Sequence, residues 1–80
     1  MSDYRIAFTN QAVTDLTRLA LDRTQFSRDI ARALPDPYGG LSVRRGKSDD
    51  DRSVLIGHYA VSYMITNTTL LRIMTVTRVR

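Results

Sequence analysis

The apolar residues of this chain change their period once, and that switch constrains the fold more than any other feature. From Val13 to Leu34 they recur at helical spacing, and from Arg52 onward they alternate with a period of two. Ahead of both, Tyr4-Arg5-Ile6-Ala7-Phe8 also alternates, with Tyr4, Ile6 and Phe8 on one face of an expected strand. Thr9 or Asn10 supplies an N-cap oxygen, and Val13, Leu16, Leu19 and Ala20 define a first helix reaching about Leu21. Asp22-Arg23 reads as the connection and Thr24 as the next cap. Phe26, Ile30, Ala33 and Leu34 form the inward stripe of a second helix, which Pro35 ends.

Asp36-Pro37-Tyr38-Gly39-Gly40 is a concentrated loop signal. Beyond it, Leu41 to Arg45 reads as a short strand or an extended loop, and Gly46 to Asp51 as a polar turn. Three strands follow: Arg52 to Ile56, Tyr59 to Ile65 and Leu70 to Thr77, separated by Gly57-His58 and by a four-residue loop Thr66-Asn67-Thr68-Thr69. The expected fold class is therefore α+β. An N-terminal strand and an α-helical hairpin precede a three-stranded antiparallel meander, with the helices packed on one face of the sheet. With 80 residues the chain makes a single domain spanning 1–80.

Charge divides the chain at the same loop. Residues 1–40 hold five Arg and five Asp; residues 41–80 hold six Arg and Lys47 against three Asp, and so carry the whole formal charge of +4. There is no Glu, no Cys and one histidine, His58, which leaves no carboxylate pair from Glu and no zinc ligand set. Asp49-Asp50-Asp51 lacks the spaced pattern of a calcium loop. No metal and no cofactor are expected. No apolar run approaches the roughly 20 residues of a membrane span, and Met1-Ser2-Asp3 opens without the basic region of a signal peptide, so the expected location is the cytoplasm.

Alternation assigns faces. In the strand from Tyr59 to Ile65 the bulkier odd set, Tyr59, Val61, Tyr63 and Ile65, belongs under the helices. In the last strand the even set carries Arg72, Arg78 and Arg80, which cannot enter a core without partners. The expectation is an open sheet face bearing these three cations, with Arg52 near it. Arg44, Arg45 and Lys47 form the densest basic cluster, in a loop that a nucleic-acid backbone could reach or that the neighbouring Asp run could neutralise.

Taken in order, three segments resemble the RelE/ParE superfamily of toxins from bacterial type II toxin–antitoxin modules. YRIAFTNQAVTDLTRL is similar to that family's opening strand and helix, ARALPDPYG to its second helix and following turn, and RSVLIGHYAVSYMITNTTLLRIMTVTRVR to its Gly-x-Tyr-Arg strand, polar turn and last strand. The resemblance covers nearly the whole chain. It implies a cognate antitoxin protein as partner and, in the RelE branch, metal-independent cleavage of ribosome-bound mRNA, with cations stabilising charge on the scissile phosphate. It also implies a catalytic set that is incomplete here. The family's strand Arg falls on Ala60, its two preceding basic positions fall on Ser53 and Leu55, and the Tyr-bearing C-terminal segment has no counterpart.

The residues left to carry such chemistry are Arg78 or Arg80 at the phosphate, Arg52 beside it, and His58 as proton shuttle. Arg44, Arg45, Lys47 and Arg72 are the candidate nucleic-acid contacts. Two other functions compete with this one: a ParE-like inhibitor of DNA gyrase, and a non-catalytic module that binds its antitoxin. The chain would act as a monomer or dimer within the toxin–antitoxin complex.

Overall fold

The computed structural model describes residues 4–39, 42–67 and 69–79. The elements run β1 (Arg5–Phe8), α1 (Asn10–Arg18), α2 (Arg23–Ala33), β2 (Val43–Arg44), β3 (Asp51–Ile56), β4 (Tyr59–Asn67) and β5 (Leu70–Arg78). They build one five-stranded sheet in the order β1-β5-β4-β3-β2. The meander β2 to β5 is antiparallel throughout, whereas β1 pairs parallel to β5, from Arg5 opposite Leu70 to Phe8 opposite Ile73. The α+β class with helices on one face is as expected; the sheet has a short extra strand in β2.

Local chemistry sets the helix limits. The Thr9 side chain accepts from the Ala12 N–H and starts α1, and Ala20, at φ 56°, turns the chain out of it. The second cap is Asp22 rather than Thr24: its carboxylate accepts the Gln25 N–H at 2.8 Å. A carboxylate there also meets the positive end of the helix dipole, which a Thr hydroxyl does not exploit. Leu34 caps α2 one residue before Pro35.

The core lies between the helices and one face of the sheet. Ala12 and Leu16 of α1 and Phe26, Ile30 and Leu34 of the second helical segment close over Val54, Ile56, Val61, Tyr63, Ile65, Leu71, Ile73 and Val76. Val13, expected inward, is instead 36 % exposed, because the inward stripe of α1 runs through Ala12, Asp15 and Leu16. Phe26 meets Tyr59 edge to face, with centroids 6.1 Å apart. Two tyrosine hydroxyls tie the end of α2 to the sheet: Tyr4 donates to the Leu34 carbonyl, and Tyr63 donates to the Pro37 carbonyl at 2.6 Å.

Both hairpin turns are short. Ile56 pairs with Tyr59 across Gly57-His58, and Gly57 holds φ 61°, the conformation a type II′ turn asks of its first central residue. Asn67 pairs with Leu70, so the last turn is tighter than the expected four-residue loop; the Asn67 side chain accepts the Thr69 N–H at 2.8 Å. Among the described residues no helix is long and apolar enough to cross a membrane.

Candidate functional site

One extra residue in β5 decides where the cations go. Ser62 pairs with Thr75 but Tyr63 pairs with Ile73, so Met74 is a bulge without an opposite number. A bulge shifts the alternation by one. Leu71 and Ile73 enter the core from odd positions, and beyond the bulge Val76 enters it from an even one, fully buried opposite Val61. Arg78, opposite Tyr59, therefore lies on the helix-bearing side, while Thr75 and Thr77 turn to the open face. The expected row of Arg72, Arg78 and Arg80 does not exist as such: Arg72 and Arg78 occupy opposite faces, and Arg80 lies outside the described residues.

A buried carboxylate holds this bulge. β1 stops opposite Ile73, and α1 takes over the edge of β5 beyond it: Thr9 donates its N–H to the Ile73 carbonyl at 3.0 Å and its hydroxyl to the Met74 carbonyl at 3.0 Å. The Val76 N–H, released from the ladder, donates to Asp15 Oδ2 at 2.9 Å. Gln11 and Arg18 donate to Asp15 Oδ1 at 2.9 and 3.0 Å. These bonds, the one from Val76 foremost, hold the Asp15 carboxyl below its ordinary range against the opposing effect of burial. Asp15 is only 3 % exposed. Sequence reasoning missed it; the one available signal was an Asp three residues after Ala12 and directly before Leu16, on the apolar stripe.

The middle rows of the open face carry no charge, only hydroxyl and apolar side chains. Cross-strand pairing sets Thr77 beside Ala60 and Ala60 beside Leu55, and in the next row Thr75, Ser62, Ser53 and Val43. The three positions onto which the family resemblance maps basic residues, Ser53, Leu55 and Ala60, thus do converge, on a shallow groove of about 290 Å³ completed by Val43. Leu55 and Val43 are 57 % and 63 % exposed. Ser62 Oγ and Thr75 Oγ1 share a hydrogen bond of 2.5 Å. Arg72 stands a further row away, opposite Met64, with no ion pair among the described residues.

The remaining candidates separate into two groups at opposite ends of the sheet. Arg52, opposite Tyr63, points to the helix-bearing side rather than toward the open face; its Nε donates to Ser42 Oγ at 3.0 Å and its Nη1 to the Asp49 carbonyl at 3.3 Å. Arg44 pairs with Asp49 at 3.2 Å and Arg45 with Asp51 at 3.7 Å, so the adjacent acids neutralise much of this cluster. Lys47, after Gly46, is exposed and outside these pairs. Tyr38 donates to Asp50 at 2.5 Å, and that bond pushes its phenol up. Burial raises the Tyr63 phenol.

His58 and Arg78 form the second group. The Val79 N–H donates to the His58 carbonyl at 2.9 Å, which draws the end of β5 against the β3–β4 turn. A cleft of about 380 Å³ opens there between the turn and α2, floored by Phe26, Ile56 and Tyr59 and rimmed by Asp29, Arg32 and His58. Tyr59 and Tyr63 are four residues apart on one strand, so Arg78 and Arg52, paired to them, stand roughly 13 Å apart along it. They do not share one phosphate. Among the described residues no cluster of three or more His, Cys, Asp or Glu is placed to hold a metal ion.

No protein-family model matches the chain, and no curated protein matches it at a significant level. Its fold is similar to that of a chain in the crystal structure of the E. coli DinJ-YafQ toxin–antitoxin complex, with a TM-score of 0.59 and 16 % sequence identity over 95 % of this chain and 92 % of that one.

Proposed function

We propose that this protein is the toxin-type member of a toxin–antitoxin module, neutralised by a cognate antitoxin, and that it acts on its cellular target by binding rather than by cutting mRNA at the open sheet face. The observation that carries the second half is the neutral trio Ser53, Leu55 and Ala60, brought together where the family resemblance calls for cations, with Thr77 beside Ala60. Neutral hydroxyls and methyl groups cannot offset the charge that builds on a phosphate during transfer. The fold shared with a chain of a toxin–antitoxin complex supports the first half.

The test is induced expression, with growth followed with and without co-expression of any short acidic protein encoded by an adjacent reading frame, together with primer extension on ribosome-bound mRNA. The expected result is growth arrest that the neighbour relieves, with mRNA intact. Loss of DNA supercoiling at the same time identifies gyrase as the target; absence of both arrest and complex formation refutes the reading. A second reading, residual mRNA cleavage, is favoured by one feature: His58, in the β3–β4 turn, precedes Tyr59, which pairs with Arg78, and Arg32 lines the same cleft as His58. Cleaved mRNA that becomes intact with His58→Ala would replace the first reading by the second.

A further inference from the structure

β1 is an edge strand with an open side. Its Arg5 N–H donates to the Thr69 carbonyl at 2.8 Å, and the Thr9 N–H just beyond it donates to the Ile73 carbonyl at 3.0 Å, so Arg5, Ala7 and Thr9 face β5. By alternation Ile6 and Phe8 direct their N–H and C=O groups outward, where no described residue pairs with them. Beside this edge lies a groove of about 440 Å³ between β1 and the first half of α2, lined by Ile6, Phe8, Thr24, Ser27, Arg23 and Arg28 together with Ala7. Arg23, Arg28 and Arg5 are exposed, and none belongs to an ion pair among the described residues. The groove lining contains no acid.

We propose that this edge and groove dock an acidic, extended segment of a partner protein, which joins the sheet as a sixth strand. Each element of the site selects for that occupant. The outward N–H and C=O groups of Ile6 and Phe8 match another backbone in extended conformation. The half-buried Ile6 and Phe8 side chains give an apolar surface on the helix-bearing face of the incoming strand, where Arg23 and Arg28 ask for carboxylates flanking its apolar residues; Arg5, on the open face, asks for carboxylates at the alternate positions. A second copy of this chain is disfavoured, because pairing β1 with itself sets those three cations against their own counterparts. A nucleic acid would satisfy the cations but leave the outward ladder groups unused. The assignment rests on the proposed function only in taking the antitoxin as the partner.

The experiment uses the full ¹⁵N-labelled chain and, as probe, the capped heptapeptide Glu-Glu-Val-Glu-Val-Glu-Glu, whose two Val and two end Glu share one face of an extended strand. Saturating peptide should slow amide exchange at Ile6 and Phe8, and N-methylation of the peptide at alternate residues should abolish the effect. The charge reversal Arg23→Glu with Arg28→Glu, both at exposed positions outside the core, should weaken binding about tenfold, the sum of two modest surface pairs. No protection at about 1 mM peptide, a weak affinity even for an isolated strand, overturns the proposal. So does equal binding of the N-methylated peptide, protection of other strands, or protection of Ile6 and Phe8 by a ribo-oligonucleotide or by self-association of the free protein. Should the peptide fail while the antitoxin still neutralises the protein in cells, the edge assignment falls and the toxin reading stands; peptide binding by a protein without any growth phenotype gives the reverse.

Discussion

Replacing Asp15 tests the link between a buried carboxylate and the direction in which β5 presents its side chains. Asp15→Ala removes the acceptor of the Val76 N–H, a donor that the Met74 bulge has already taken out of the ladder. A buried donor left without a partner costs about 1–3 kcal/mol, and a bond to a charged acceptor belongs in the upper part of that range. At about 2 kcal/mol, a domain of this size loses roughly 8–16 °C in Tm. Asp15→Asn keeps an amide oxygen for Val76 and should lose less, about 1 kcal/mol. The pH dependence separates charge from packing. Because the folded carboxyl is held below its ordinary value, its contribution is complete above the unfolded pKa, near 3.9, and is lost as pH falls through the lower folded value. Urea titrations at pH 7 and in steps below pH 4 should therefore show wild type and Asp15→Asn converging as the pH drops. Exchange at the Val76 amide should accelerate more than at Val61 in Asp15→Ala. An Asp15→Ala protein within 0.5 kcal/mol of wild type at pH 7, or a gap to Asp15→Asn that is constant down to pH 2, refutes the reasoning.

Three other substitutions probe the remaining parts of the molecule. Leu55→Lys with Ala60→Arg places two cations in the open-face groove and should raise affinity for a ribo-oligonucleotide, with the slope of log K against log salt steeper by about 2 in a fluorescence titration; an unchanged slope would mean the groove is closed to nucleic acid. Tyr63→Phe deletes the 2.6 Å bond to the Pro37 carbonyl and should cost about 1 kcal/mol in a thermal or urea melt, with the core otherwise intact. Gly57→Ala forces a methyl-bearing residue to φ 61° and should cost about 1 kcal/mol although open space surrounds the position, so the loss reads backbone strain rather than a clash.

Element order was legible because it follows from periodicity: Pro35, the Gly-rich loop and the alternating runs mark boundaries that need no tertiary information. The parallel pairing of β1 with β5 was not, since nothing in Arg5–Phe8 specifies a partner 65 residues away. Period-two counting set Ala60 on the outward face and the resemblance mapped Ser53 and Leu55 to the same function; the three meet because β3 and β4 pair regularly between their ends. The same counting failed in β5, where it assumed an unbroken strand. Neither Gly nor Pro at or beside Met74 announces a bulge; what sustains it is Asp15, which offers an acceptor to the N–H of Val76, sixty-one residues further along the chain. That one long-range bond turns Val76 into a core residue and sends Arg78 to the helix-bearing side, beside His58. The half of the chain that holds the surplus charge thus fails to concentrate it on a catalytic face. Arg52, Arg44 and Arg45 are engaged in the β2–β3 hairpin, Arg78 lies at the far turn, and Arg72 stands apart on the open face. Meanwhile Arg5, Arg23 and Arg28, in the half whose charge sums to zero, flank an unpaired strand edge. Net charge by half-chain locates phosphate-binding potential only if each cation is unspent, and among the described residues Arg5, Arg23 and Arg28 of the neutral half are exposed and outside every ion pair, whereas Arg44 and Arg45 of the basic half are paired.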